Sequence, residues 1–197
     1  MSNSINENDF QIDFSAKIGH YIGMYLISAY FDDESNRVLQ GYIDEIAKVT
    51  GNDFMTKNHV PPHLTVSSIE ARGAEVLVPA FETLEEDFKS GRIDFVTIGQ
   101  LMPQVIYAAP YLNEYLMDLS QMVYDRFKDI PETTVSNYYR PLSWLPHATL
   151  GKMLTPDQMF EAVKITHTFK PFSARVTKLG LSKVNPHEDV RIIKREE

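Results

Sequence analysis

Cysteine is absent from the 197-residue chain. Its absence excludes a disulfide framework, a thiolate zinc site, an iron–sulfur cluster and a cysteine nucleophile together. It also fits a reducing compartment. Excess positive charge is missing too: 19 Lys and Arg stand against 27 Asp and Glu, a formal net charge of −8. A long, sequence-independent grip on duplex nucleic acid draws on a basic surface. Extended duplex is therefore excluded as a partner, whereas a single nucleotide or a short nucleic-acid end is not. Positive charge gathers only in residues 170–197, where seven Lys and Arg meet four Asp and Glu. No apolar run approaches the ~20 residues of a membrane span. The opening residues, MSNSINENDFQIDFSAK, lack the basic and apolar regions of a signal peptide. These absences predict a cytoplasmic protein with no membrane partner.

What is present is an ordinary globular composition, 43% hydrophobic and 23% charged. The length suits one domain or two small lobes sharing a core. Residues 1–20 are polar and read as an N-terminal extension. Residues 23–31 are β-branched and aromatic and predict a strand. A helix follows, with DDES as N-cap candidates, apolar residues at helical spacing and Gly51 as its stop. Residues 63–69 predict a strand, residues 74–88 a helix with Pro79 at its true first turn or at a kink, and residues 92–101 a strand. The order then repeats: strand 104–109, helix 112–128, loop 129–143, strand 147–153, a helix capped by Thr155-Pro156-Asp157-Gln158, and strand 172–184. Residues 189–195 pair back as a hairpin. Corresponding elements lie about eighty residues apart, Tyr25 with Val105, His63 with His147, Ile93 with Ala174. Such a period is too long for a solenoid. The pattern predicts an α+β fold of two similar β-α-β-α-β lobes, about 21–101 and 102–197. A pseudo-two-fold would relate them around a central cleft, within one unit spanning 21–197 that we read as a monomer.

The sharpest repeat is Pro-His-x-Thr-apolar. It occurs as Pro62-His63-Leu64-Thr65-Val66 and as Pro146-His147-Ala148-Thr149-Leu150. With only six His and eleven Pro in the chain, two chance copies at equivalent places are improbable. On a strand, residues i and i+2 share a face, so His63 projects with Thr65 and His147 with Thr149. Facing lobes would bring two imidazoles and two hydroxyls into one cleft. That set suits in-line displacement at phosphorus. One neutral His takes a proton from the attacking oxygen and the other, protonated, supplies the leaving oxygen. Each Thr donates to a non-bridging oxygen. Such chemistry calls for no cofactor and no metal.

The paired motif resembles the two-histidine (2H) phosphoesterase superfamily, which includes the RNA 2′,3′-cyclic phosphodiesterases also called 2′-5′ RNA ligases. The order of elements supports the resemblance over most of residues 22–184. It implies a bilobal α+β cleft, His63, Thr65, His147 and Thr149 as catalytic residues, and an RNA end or small nucleotide phosphodiester as substrate. The reaction implied is hydrolysis of a 2′,3′-cyclic phosphate or of a 2′-5′ linkage. A 2′-5′ ligase, or a module that binds a nucleotide without turning it over, is the alternative. Ligase-type members often carry a basic residue three positions after the second motif's Thr; here it is Lys152. The ligase branch continues its first motif with Leu, an aromatic and Gly, whereas this chain reads Val66-Ser67-Ser68-Ile69.

Further substrate-binding candidates come from the motif flanks. Lys152 alternates away from His147 on a regular strand and joins the cleft only through a bulge, which Gly151 permits. Ser67 shares the cleft face if alternation continues. Tyr138, Tyr139 and Trp144 precede the second motif and are candidates for stacking on a base. Tyr107 reads as core. His20, His167 and His187 have no partner pattern and read as surface or cap residues. The C-terminal hairpin reads as a lysine-protected sheet edge.

Overall fold

The computed structural model describes residues 22–101, 103–184 and 186–195. The N-terminal extension, residues 1–20, lies outside the described residues. Strand β1 (Gly23–Phe31) leads into helix α1 (Asp33–Thr50). Asp32 caps that helix by accepting from the Ser35 amide at 2.8 Å, and Gly51 closes it in the left-handed region, φ 70°. Leu39, Ile43 and Ile46 form its buried stripe. A short helix that composition did not reveal, α2 (Phe54–Lys57), precedes β2 (Leu64–Ala71). A 3₁₀ turn at Ala74–Val76 leads into α3 (Val78–Asp87), with Pro79 in its first turn. Strands β3 (Gly91–Leu101) and β4 (Val105–Pro110) precede α4 (Glu114–Phe127). The segment 129–143, expected as plain loop, holds a two-residue strand, β5 (Thr134–Val135), and a 3₁₀ turn at Asn137–Tyr139. The second motif strand, β6 (Ala148–Gly151), is shorter than expected. Helix α5 (Pro156–Thr166) carries the Thr155–Gln158 capping box. Strands β7 (Phe172–Lys183) and β8 (Glu188–Lys194) form the closing hairpin.

All strands join one antiparallel sheet in the order β5-β2-β1-β7-β3-β4-β6, with β8 added to β7. Exchanging the halves maps the central six onto themselves: β1 with β4, β2 with β6, β7 with β3. Ile93 and Ala174, assigned to each other by sequence spacing, are cross-strand partners at the middle of this pattern. Pairing crosses the sequence halves. The first part of β7, residues 172–176, pairs with β3, and residues 176–183 pair with β1. Helices cross as well: α1 packs against β6 and α5, and α4 against β2 and α3. One apolar core runs through both halves, from Ile27, Leu39 and Leu64 to Ile106, Leu150 and Val176. The motif strands β2 and β6 stand far apart in the sheet order, with only β5 beyond β2, yet come close in space, so the sheet curls to bring them together.

Candidate active site

Proline fixes the entry to each motif. Pro62 and Pro146 have locked φ angles and hold the residue before them extended. In both motifs this aims the carbonyl two residues before the histidine back at its ring. His63 Nδ1 lies 2.8 Å from the Pro61 oxygen, and His147 Nδ1 lies 2.9 Å from the Leu145 oxygen. A carbonyl only accepts, so each Nδ1 carries the proton and each neutral ring keeps its lone pair on Nε2. Both histidines sit immediately before their strands. The predicted alternation follows: Leu64, Val66, Ala148 and Leu150 are buried, while His63, Thr65, His147 and Thr149 stay partly exposed.

The two motifs are joined directly. Trp144 Nε1 donates to the Thr65 carbonyl at 2.9 Å, and the Tyr139 hydroxyl shares a hydrogen bond with the Thr65 hydroxyl. His147 lies near enough for its charge to act on His63. Burial pushes the His63 imidazole down to about 4; the Pro61 hydrogen bond opposes this, and the neighbouring His187 and His147 add to it. Burial also lowers His147, against the hydrogen bond to Leu145. Both rings are thus biased toward the neutral form.

A register shift follows each motif. Opposite β1, Thr65 pairs with Ser28 and Ser67 with Ile27, leaving Val66 as the extra residue. Opposite β4, Thr149 pairs with Tyr107 and Gly151 with Ile106, leaving Leu150 extra. These are twin bulges, and each reverses the alternation beyond it. Ser67 therefore turns to the core side with Ile27, and Ser68 takes the other face with Leu26. This corrects the expectation that Ser67 shares the cleft face. Ser67 is 1% exposed, and its buried hydroxyl has no hydrogen-bond partner among the described residues. The bulge that Lys152 required is present, but the ammonium lies over the Phe54 ring, 5.8 Å from its centroid. Burial lowers its pKa. Trp144 is 7% exposed with its N–H spent on Thr65; it ties the motifs together, which corrects its reading as a base-stacking residue. Tyr139 is packed against the core beside Thr65, while Tyr138 is exposed.

Two neighbours of the motif histidines were not foreseen as such. Tyr107 is buried, as its reading as core expects, and its ring also lies 5.0 Å from the His147 ring. His187, read as a surface residue, lies in the β7–β8 turn with its ring 6.2 Å from that of His63, nearly parallel at 29°. Its side chain is only 9% exposed. Tyr30 lies beside both, edge-on, with its ring 6.2 Å from that of His63 and 6.3 Å from that of His187. The Tyr30 hydroxyl donates to Asp189 Oδ1 at 2.6 Å, and His187 Nε2 lies 3.4 Å from the same oxygen. Burial raises the Asp189 carboxyl, but hydrogen bonds from His187 and Tyr30 outweigh it and hold the group below the usual carboxylate range. Burial, and then Asp189, push the Tyr30 phenol upward. No sequence signal marks this cluster, because the pairing of β1 with β7 brings Tyr30 to residues more than 150 positions away.

No family model matches the chain, and no curated protein matches it in sequence. Among solved structures it is similar to Escherichia coli LigT complexed with 3′-AMP. The TM-score is 0.57 at 17% identity, covering 90% of this chain and 100% of that one. The apo form of LigT gives 0.54 at 17% identity over 89% of this chain and 99% of that one. Usb1 of Kluyveromyces marxianus with uridine monophosphate overlaps more loosely, 0.47 at 12% identity over 88% of this chain and 99% of that one. The chain and LigT share a fold. The mixed α/β architecture is the one the resemblance to 2H phosphoesterases implied.

Proposed function

We propose that the protein is a 2H-type phosphodiesterase acting on a 2′,3′-cyclic phosphate, or a related 2′-5′ phosphodiester, of an RNA end or small nucleotide. The observation that carries this reading is the duplicated lock. Two histidines within electrostatic reach of each other each have Nδ1 held by the carbonyl two residues back. Each presents Nε2 and has a threonine two residues on. The shared fold with LigT, whose structure holds 3′-AMP, supports a nucleotide as the ligand class.

In this mechanism water attacks phosphorus in line with the departing oxygen. One Nε2 takes the water proton as the new P–O bond forms. The other histidine, protonated, gives its Nε2 proton to the leaving 2′ or 3′ oxygen as the ring P–O bond breaks. Thr65 and Thr149 donate to the non-bridging oxygens, where negative charge gathers. No step requires a metal. The test is phosphorus NMR of a short RNA ending in a 2′,3′-cyclic phosphate, incubated with the protein in EDTA. Conversion to one phosphomonoester is expected, slowed by about 10²–10⁴ in His63→Ala and in His147→Ala. An unchanged cyclic resonance with the wild-type protein contradicts hydrolysis of this substrate. Micromolar binding of the intact nucleotide would then mark a binding module.

A further inference from the structure

The motif strands, their bulges and the Nδ1 locks are duplicated so closely that the motifs alone leave the two histidines interchangeable. Strand β8 breaks the equivalence. It extends the sheet beyond β7 only, and among the described residues β3 pairs with β7 and β4 and has no such addition. The β7–β8 turn delivers a third histidine to His63 and none to His147, whose ring neighbour is Tyr107.

We propose that His187, anchored by Asp189 and Tyr30, is a positioning residue that makes the pair unequal: it holds His63 as the proton acceptor and leaves His147 as the donor. The inference rests on the phosphodiesterase reading above.

The geometry supports it in two ways. First, the His63 ring is fixed on three sides: by Pro61 at Nδ1, by the edge-on Tyr30 ring, and by the near-parallel His187 ring. Only Nε2 is left to meet substrate. Second, His187 acts electrostatically against a positive charge on His63, with the ring centroids 6.2 Å apart. The groups that face His63 are Tyr30 from β1, His187 and Asp189 from the β7–β8 hairpin, and His147 from the entry to β6. Asp189 works the other way, but more weakly than His187. Burial is the largest cause of the neutral form of His63, and His187 adds to it, so the ring is ready to accept the water proton. The proton then donated to the leaving oxygen comes from His147.

The test is an imidazole ¹⁵N NMR titration of the full chain, with His63 assigned from His63→Gln. In the wild type, the His63 lone pair persists down to about pH 4. In His187→Gln the opposing charge is gone, so the His63 midpoint moves up by about one pH unit. His187→Asn, smaller and also neutral, moves it the same way, so the result does not hang on one variant's fold. The acidic limb of kcat/KM, which reports the base of the free enzyme, moves up with it and the basic limb stays. An unmoved His63 midpoint in both folded variants overturns the proposal, as does movement of the basic limb alone. Failure of the parent reading looks different: the wild type would turn over no phosphodiester while the titration still followed residue 187.

Discussion

Ser67 and Ser68 exchange faces across the β2 bulge, and that exchange separates a substrate contact from a buried hydroxyl. Ser67→Ala removes an unpartnered polar atom from the core side. It is expected to leave kcat/KM unchanged and the urea midpoint equal or higher; a tenfold loss of kcat/KM would contradict the assigned face. Thr65 and Thr149 are the contrasting case. Thr149→Ala removes one donor to the developing charge, so kcat falls by about 10²–10³ with KM changing less. At this scale the duplicated His-x-Thr was legible because it repeats within a short window. Ser67 was misread because alternation is legible and a bulge is not: the extra residue, Val66, is an ordinary apolar side chain. His187 was misread because Tyr30 reaches it and its neighbour Asp189 only through pairing between strands distant in sequence.

Elements supply the walls of the cleft. Tyr30 crosses β7 at Gly180, and Tyr107 crosses β3 at Gly99; a Cβ at either glycine would clash with the tyrosine ring, meeting Tyr30 Cε2 or Tyr107 Cζ. The close approach is what each glycine is for. Gly180→Ala forces the Tyr30 ring off Asp189 and away from His63, with a stability loss of about 1–3 kcal/mol. A thermal melt reads that loss, and the turnover rate of the same variant falls because the wall behind His63 moves. An unchanged melt and rate would mean that the ring finds another place at no cost. Helix boundaries were readable from caps, as Asp32, Gly51 and the Thr155–Gln158 box illustrate. Strand β5 was not. Two residues, Thr134 and Val135, carry no pattern of their own and become a strand only through β2.

At the scale of the molecule, the halves are interlocked. Strand β7 pairs with β1 and with β3, and α1 and α4 each cover the other half's motif strand. The repeat was legible in sequence, but the exchange was not, because apolar strands do not encode their partners. Interlocking predicts one cooperative transition: fluorescence of the single tryptophan, Trp144, should follow far-UV circular dichroism in urea. Two separated transitions would mean that the halves unfold independently. Stability should also fall in mild acid. The unfolded chain takes a proton at the His63 position near pH 6.5, the folded one only near 4. That contribution is complete above about pH 6.5 and is lost progressively as the pH falls toward about 4. His63→Gln should flatten the slope of urea midpoint against pH across that window. The central claim is that His63 and His147 act together on one phosphate. The most direct measurement is kcat for His63→Ala, His147→Ala and the double variant on one cyclic-phosphate RNA. Residues working as a unit give non-additive losses, so the double variant should be about as slow as either single one. Losses that multiply, or a single variant with wild-type turnover, would contradict the claim.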